Sequence, residues 1–150
     1  MQKTMKKGEM LSLALMKAAE WHFGQFDKGG APYILHPLKV MYYLKTSDEE
    51  LQCIALLHDV VEDCGVTYQE LRDLGFSERV IAGIKGMTKL PGETYDEAMI
   101  RITSNADTIR VKLCDLRHNS DIRRLKGVTE KDIKRIEKYQ KMYMVLKELV

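Results

Sequence analysis

Apolar residues recur every three or four positions along most of this chain, which is the spacing of one buried face of an α-helix. Breaking and capping residues separate these periodic runs, and no run alternates apolar and polar positions as a half-buried strand does. The pattern predicts helices over residues 9–23, 37–44, 49–63, 68–74, 78–87, 95–102, 106–125 and 129–149. We therefore expect an all-α bundle of about seven or eight helices joined by short loops.

Several helix starts carry residues that cap an α-helix. Ser47, Thr67 and Thr94 each precede a Glu by three positions, which is the spacing of a capping box. Ser77 is a further N-cap. Pro37 suits the first position of the second helix, where no intrahelical N–H bond is lost. These signals predict where the helices begin.

The predicted third helix ends in an unusual mixture of apolar and ionisable residues, because positions 56–63 read LLHDVVED. Acidic side chains are almost never buried unless they are paired or bind a metal ion. On a continuous helix, ~100° per residue places Asp59, Glu62 and Asp63 within ~140° of His58. This face indicates a metal-centred hydrolase, and a solvated helix end is the alternative for Glu62 and Asp63.

Asp115 is a second candidate, because it lies where an apolar helical segment turns polar. Asn119 follows one turn later on the same face and could orient water or substrate. The alternative is structural, since Lys112 lies three residues before Asp115 and could form an ordinary helix ion pair with it.

His36 is a third candidate because it stands at a predicted helix start, where Pro32 and Tyr33 stiffen the approach. The alternative is a histidine that happens to precede a proline. His22 and His118 are further candidates, and the number of histidines does not show which of them would bind a metal. Two His and two Asp would suit Mn, Fe, Co, Ni or Zn better than Ca or Mg.

Composition narrows the protein class. A chain of 150 residues is expected to form a single domain over residues 1–150, and a net charge of +2 predicts neither a nucleic-acid nor a membrane partner. No apolar run is as long as a membrane span, and no export signal is evident, so the three cysteines are expected to be reduced thiols in the cytoplasm. Trp21, Phe23, Phe26 and the last helix either pack internally or form the face of a homo-oligomer.

Five segments in order carry a family resemblance across most of the chain. They read HxGQ (22–25), KxGxPYIxHP (28–37), LLHDVVED (56–63), GxTK (86–89, followed by Tyr95) and KLxDxxHN (112–119). With these motifs the chain resembles the HD-domain phosphohydrolase superfamily, specifically the hydrolase domain of RelA/SpoT-type alarmone enzymes and the small alarmone hydrolases. The resemblance implies the helical HD bundle.

The resemblance also implies site roles. It implies four ligands for a divalent metal, usually manganese: His36, His58, Asp59 and Asp115. It implies that Glu62 and Asp63 handle the attacking water and that Asn119 contacts the nucleotide. The reaction of these relatives removes the 3′-pyrophosphate of (p)ppGpp and gives GDP or GTP. With Asn119, we take as candidate substrate-binding residues Lys28, Tyr33, Lys89 and Lys112, and we add Arg117 as a possible phosphate contact.

Two departures bear on the substrate. Asp27 stands where alarmone hydrolases usually carry an Arg that stacks on guanine, and Ile122 stands where relatives often have a hydroxyl. A carboxylate neither stacks like a guanidinium nor attracts phosphates. These departures concern recognition of the base rather than catalysis, so a stand-alone (p)ppGpp hydrolase remains the leading hypothesis. The alternatives are a phosphohydrolase of a nucleoside monophosphate or of the NADPH 2′-phosphate, and a non-catalytic metal- or nucleotide-binding module.

Overall fold

The computed structural model describes residues 4–150, which form nine α-helices and one 3₁₀ turn. The helices are α1 (Glu9–Trp21), α2 (Leu35–Leu44), α3 (Glu49–Leu57), α4 (Val60–Cys64), α5 (Tyr68–Leu74), α6 (Glu78–Met87), α7 (Tyr95–Thr103), α8 (Ala106–Asn119) and α9 (Glu130–Lys147), with the 3₁₀ turn at Ile122–Arg124. In this part of the chain the β-structure is an isolated bridge between Phe26 and Pro32. The all-α prediction is confirmed.

Helix α3 is the centre of the main core. Its sequence between Leu51 and Leu57 contains Gln52 as its sole polar residue, so it can be buried on most sides. It packs against α1, α2, α6 and α8. Its buried residues are Leu51, Cys53, Ile54, Ala55, Leu56 and Leu57. The central position of α3 brings the end of this helix, at His58, next to both α2 and α8.

Two glycines allow α6 to approach its neighbours closely. A Cβ at Gly83 would collide with the side chain of Ile54 on α3, and a Cβ at Gly86 would collide with Thr108 on α8. Thr108 is fully buried, and its hydroxyl donates to the carbonyl of Gly83 over 3.1 Å. Close backbone approach at these positions therefore fixes how α8 sits against α6.

A second, smaller apolar cluster joins α7, α8 and α9. Its buried members are Ile102, Ile109, Leu116, Met142 and Leu146. Helix α8 belongs to both clusters, because Val111 faces the main core. None of the helices in residues 4–150 has the length and apolarity needed to cross a membrane.

The predicted single helix over residues 49–63 is wrong, because the helix breaks between α3 and α4 at His58 and Asp59. Asp59 has φ −107° and ψ −4°, outside regular helical values. On a straight helix two successive side chains diverge by ~100°. The break instead brings the Asp59 carboxylate to 3.0 Å from Nε2 of His58.

The capping predictions are largely confirmed. Thr67, Ser77 and Thr94 each accept a hydrogen bond from the N–H three residues later, and Thr94 forms the complete capping box. At the start of α3 the prediction is wrong by one residue. Asp48, rather than Ser47, is the N-cap and accepts from the N–H of Leu51, because a carboxylate offers a strong acceptor at this position.

Several helix bounds also differ from the predictions, and α1 and α9 each end two residues earlier than expected, at Trp21 and Lys147. Helix α2 begins at Leu35, so Pro37 occupies the third position, which still lies in the turn without intrahelical N–H bonds. Helix α8 ends at Asn119 rather than near residue 125. Its continuation is replaced by the 3₁₀ turn, which begins where Asp121 accepts from the N–H of Arg123.

Candidate functional site

Four predicted ligands converge where α2, the α3–α4 break and α8 meet. Nε2 of His36 lies 2.9 Å from Oδ1 of Asp115, and Nε2 of His58 lies 3.3 Å from the same oxygen. Oδ2 of Asp59 lies 3.0 Å from Nε2 of His58 and 3.7 Å from Nε2 of His36. One ligand atom each from His36, His58 and Asp115 lie within 4.8 Å of one another. These three residues are at most 6% exposed.

The ring of His58 tests whether a cation fits this cluster. Its Nδ1 lies 2.6 Å from the carbonyl of Ala55, which can only accept, so Nδ1 carries the proton. Its Nε2 is buried without a hydrogen-bond partner among the described residues, although carboxylate oxygens of Asp59 and Asp115 lie nearby. A neutral His58 would turn a lone pair towards two carboxylates, which is repulsive, so the site favours positive charge at Nε2. Burial opposes that charge, but Asp59 and Asp115 raise the pKa of His58 well above its usual range, and a bound cation would supply the same charge. The arrangement therefore fits a metal ion with nitrogen and oxygen ligands.

The carboxylate of Asp115 is held ionised. Burial opposes its charge, but Lys112 and the two imidazoles lower the pKa of Asp115 well below its usual range. Nζ of Lys112 lies 3.1 Å from Oδ2, and Nδ2 of Asn119 donates to Oδ1 over 3.0 Å. Lys112 thus forms the ordinary helix ion pair with Asp115 that the sequence allowed as a structural alternative. The same bond orients Asp115, which is a candidate ligand.

Neighbouring aromatic side chains support two other ligands. The hydroxyl of Tyr33 donates to Oδ2 of Asp59 over 2.5 Å. Nδ1 of His36 lies 2.7 Å from Nδ1 of His118. Burial, with the nearby charge of Arg124, lowers the pKa of His118 to about 4. His118 is therefore neutral at pH 7.

A cavity of about 350 Å³ opens on the cluster. It brings together eight of the predicted site residues: Tyr33, Asp59, Glu62, Asp63, Lys89, Lys112, Asp115 and Asn119. The predicted catalytic pair lies at its edge, where both residues are exposed. Glu62 accepts a hydrogen bond from the backbone N–H of Lys89. Partial desolvation and repulsion by Asp59 and Glu62 raise the pKa of Asp63, which makes its carboxylate a better proton acceptor than an ordinary Asp.

Lys28 lies apart from these residues. It lines a neighbouring cavity of about 300 Å³, which shares Tyr33, Asn119 and Tyr139 with the first. Arg117 lines neither cavity, because its guanidinium lies 3.8 Å over the ring of Tyr43. Because they share three lining residues, the two cavities adjoin each other, and we refer to them together as the groove.

Asp27 faces the neighbouring cavity and forms an ion pair with Arg124. Nη2 of Arg124 donates to Oδ2 of Asp27 over 3.3 Å, and Nη1 donates to Oδ1 of Asn119 over 3.1 Å. Burial disfavours the charge of Asp27, but the N–H of Ala31 and Arg124 together lower its pKa. A guanidinium is thus present at this cavity, although it comes from the 3₁₀ turn rather than from position 27.

Sequence reasoning missed several residues of the groove. Lys138 and Tyr139 on α9 line the cavity above the ligand cluster, and Arg101 lines its far wall. Lysines at 134, 138 and 141 recur at helical spacing, and this signal could have identified one basic face of α9. No sequence signal could have paired Arg124 with Asp27, because 97 residues separate them.

Comparison with known proteins identifies the family. Residues 14–145 match the family model described as HD domain. The chain belongs to the HD domain family. HD domain hydrolases use divalent metals, and His36, His58 and Asp115 bring ligand atoms close enough together to hold such an ion.

The relatives found include RelA/SpoT-type enzymes. The chain is 35% identical over 117 residues to the guanosine-3′,5′-bis(diphosphate) 3′-pyrophosphohydrolase of Aquifex aeolicus, covering 71% of this chain and 17% of that protein. It is 33% identical over 122 residues to the bifunctional (p)ppGpp synthase/hydrolase SpoT of Escherichia coli, covering 73% and 17%. The chain thus spans about one sixth of the length of these curated relatives.

A solved structure supports the fold. A metazoan ortholog of SpoT, described as hydrolysing ppGpp and acting in starvation responses, superposes with a TM-score of 0.76 at 24% identity. The superposition covers 95% of this chain and 88% of that one. The predicted HD-domain helical bundle is confirmed.

Proposed function

We propose that this chain is a divalent-metal-dependent phosphohydrolase that removes the 3′-pyrophosphate of guanosine-3′,5′-bis(diphosphate) and its triphosphate analogue. The observation that carries the proposal is the buried Nε2 of His58, which faces the carboxylates of Asp59 and Asp115 at the floor of a polar cavity. The curated relatives named as 3′-pyrophosphohydrolases support the choice of substrate.

The metal would be held by His36, His58, Asp59 and Asp115, and manganese is the first ion to test. A divalent ion at this place supplies Lewis acidity, because it acidifies water and polarises a phosphoryl oxygen. The mixed nitrogen and oxygen donors suit manganese better than calcium or magnesium.

The acid pair at the cavity edge would handle the proton. Glu62 is held in place by the N–H of Lys89 and orients the attacking water, and Asp63 accepts its proton. The water oxygen bonds to the proximal phosphorus of the 3′-diphosphate, and the bond from that phosphorus to the ribose 3′ oxygen breaks. The proton held by Asp63 then passes to the ribose 3′ oxygen, which becomes a hydroxyl group.

Two lysines would bind the phosphates. Lys89 and Lys138 line the cavity, and neither ammonium group is engaged in an ion pair within residues 4–150. Lys112 is already bonded to Asp115 and would act mainly by orienting that ligand. The phosphates of the substrate would thus meet two cations that line the same cavity as the acid pair.

The neighbouring cavity would take the base. Phe26 offers an aromatic ring that is 66% exposed there, and the Asp27–Arg124 pair offers a flat polar surface. Lys28 stands at the same cavity and would contact the sugar or a 5′-phosphate. The base and the reacting diphosphate would then occupy adjoining cavities.

A product assay tests the proposal. The purified chain is incubated with ppGpp and Mn²⁺, Co²⁺, Zn²⁺ or Mg²⁺, and we expect GDP and pyrophosphate in equal amounts. NADPH and nucleoside monophosphates serve as comparison substrates, because release of phosphate from them would favour the alternative substrates. Nucleotide binding without any product, whichever ion is present, would reject the enzyme in favour of a binding module.

A further inference from the structure

The imidazole of His118 is a buried neighbour of the ligand cluster to which the proposed reaction gives no task. It is 9% exposed and lies on α8, three residues after Asp115. Residues three apart share one face of a helix. Helix α8 therefore presents both a candidate ligand and His118 towards α2, which carries His36.

The contact between the two rings is short and specific. Nδ1 of His36 lies 2.7 Å from Nδ1 of His118, and the rings stack with centroids 5.0 Å apart and planes 14° apart. An edge contact from Tyr43 supports the His118 ring on another side. A nitrogen–nitrogen distance of this size requires one shared proton, so one ring donates and the other accepts.

The direction of this hydrogen bond decides whether His36 can bind a metal. Nε2 of His36 faces Asp115 and Asp59, so binding a metal ion between them requires this nitrogen to offer its lone pair. A neutral imidazole has one proton, which must then lie on Nδ1. His118 must accept it, and its own proton must lie on Nε2. In the reverse arrangement the proton of His36 would point at the metal position.

The tautomer of His36 is held in a different way from that of His58. Its Nδ1 faces the carbonyl of Ala55, which accepts in every protonation state, so the backbone alone fixes the tautomer of His58. The tautomer of His36 is instead fixed by a side chain. We propose that His118 is a positioning residue, which accepts the Nδ1–H of His36 and so turns the lone pair of His36 towards the metal. This inference rests on the proposed metal site.

A matched pair of variants tests the acceptor. In His118→Asn, the amide oxygen can take the place of Nδ1 and accept the same hydrogen bond. In His118→Leu, a side chain of similar bulk fills the space without an acceptor. Loss of an outer partner of this kind weakens metal binding by about 10- to 100-fold. We expect that loss for His118→Leu and near-wild-type affinity for His118→Asn, measured as the Mn²⁺ dissociation constant without substrate.

Nitrogen-15 NMR of the imidazoles gives a readout that needs no variant. In the wild-type protein we expect the proton of His36 on Nδ1 and that of His118 on Nε2. A proton on Nε2 of His36, or equal Mn²⁺ affinity in wild type, His118→Leu and His118→Asn, would overturn the inference and leave the proposed function standing. A wild-type chain that binds no divalent ion would instead overturn the metal site itself.

Discussion

The floor and the mouth of the groove are built in different ways. The floor lies on the ligand cluster, whose His36, His58 and Asp115 are nearly inaccessible and come from the end of α3 and from α2 and α8, which pack against it. The mouth includes Lys89, Tyr95 and Lys138, which are exposed and lie on or beside helices of the smaller apolar cluster. If the proposed function holds, the residues of the interior determine the bond-breaking chemistry. Substrate choice would then depend on surface residues, which can change without disturbing the fold.

The largest expected effect comes from removing a ligand at the floor. Asp59→Ala takes away a carboxylate that lies 3.0 Å from Nε2 of His58, so metal retention and activity should both be lost. Metal content after dialysis, measured by elemental analysis, checks the first, and the pyrophosphate assay checks the second. Full metal content in this variant would exclude Asp59 from the ligand set.

Glu62 stands between floor and mouth and should separate binding from turnover. Glu62→Ala should retain the metal but lower kcat by ~10²-fold, the usual worth of a group that manages a proton or a water. Glu62→Gln is the control, because its amide oxygen can still accept the N–H of Lys89. We expect kcat to fall in both variants. Recovery in Glu62→Gln would mean that Glu62 merely holds the Lys89 loop.

A substitution at Arg101 tests whether the bonds between Arg101 and Glu93 stabilise the wall of the mouth. Its guanidinium forms two bonds of 2.8 and 2.7 Å to Glu93, whose side chain is 1% exposed, and it also donates to the carbonyl of Gly86. Arg101→Ala should destabilise the fold by about 2 kcal/mol, because Glu93 would remain buried without a partner. Thermal or urea unfolding measures this, and an unchanged midpoint would contradict it.

The ion pair between Arg101 and Glu93 also predicts how the stability of the fold depends on pH. Hydrogen bonding from Arg101 lowers the pKa of Glu93, so in the folded protein this carboxyl binds its proton less readily than in the unfolded chain. Its contribution is complete above the unfolded pKa and disappears as the pH falls through the lowered one. The stability difference between wild type and Arg101→Ala should therefore shrink in acid. A difference that is constant from pH 7 to pH 3 would argue against the pair.

The smallest effect is expected at the mouth itself. Lys138→Ala should raise KM about 10-fold with little change in kcat, because an exposed cation attracts the phosphates without touching the reacting atoms. The effect should decline as salt is added. Lys131→Ala is the matched control, since it removes an exposed lysine of the same helix that lines neither cavity. Equal KM values for the two variants would remove Lys138 from the substrate site.

The sequence predicted the floor better than the mouth, and the reason is physical. His58 and Asp59 stand out because charged residues inside an apolar stretch need partners, and the helical period shows which segments are buried. Periodicity does not report a break, however, so the end of α3 was missed. Family resemblance, rather than spacing, singled out His36.

The mouth depends on contacts between distant segments. Arg124 reaches Asp27 because a 3₁₀ turn replaces the last turn of the predicted helix, and no local pattern reveals that pairing. Tyr33 was expected to touch substrate, yet its hydroxyl is bonded to Asp59. Exposed lysines are common on helices, so Lys138 could be identified only after α9 was placed over the cavity.

The small size of Gly86 determines how closely α8, which carries Asp115 and His118, can approach α6. Thr108, which fills the space where a methyl group at position 86 would lie, is about two helical turns from Asp115 along α8. Any larger side chain at 86 would have to displace that helix, and Asp115 and His118 would travel with it. The proposed catalysis would thus require a hydrogen atom, and nothing larger, at position 86, which lines neither cavity.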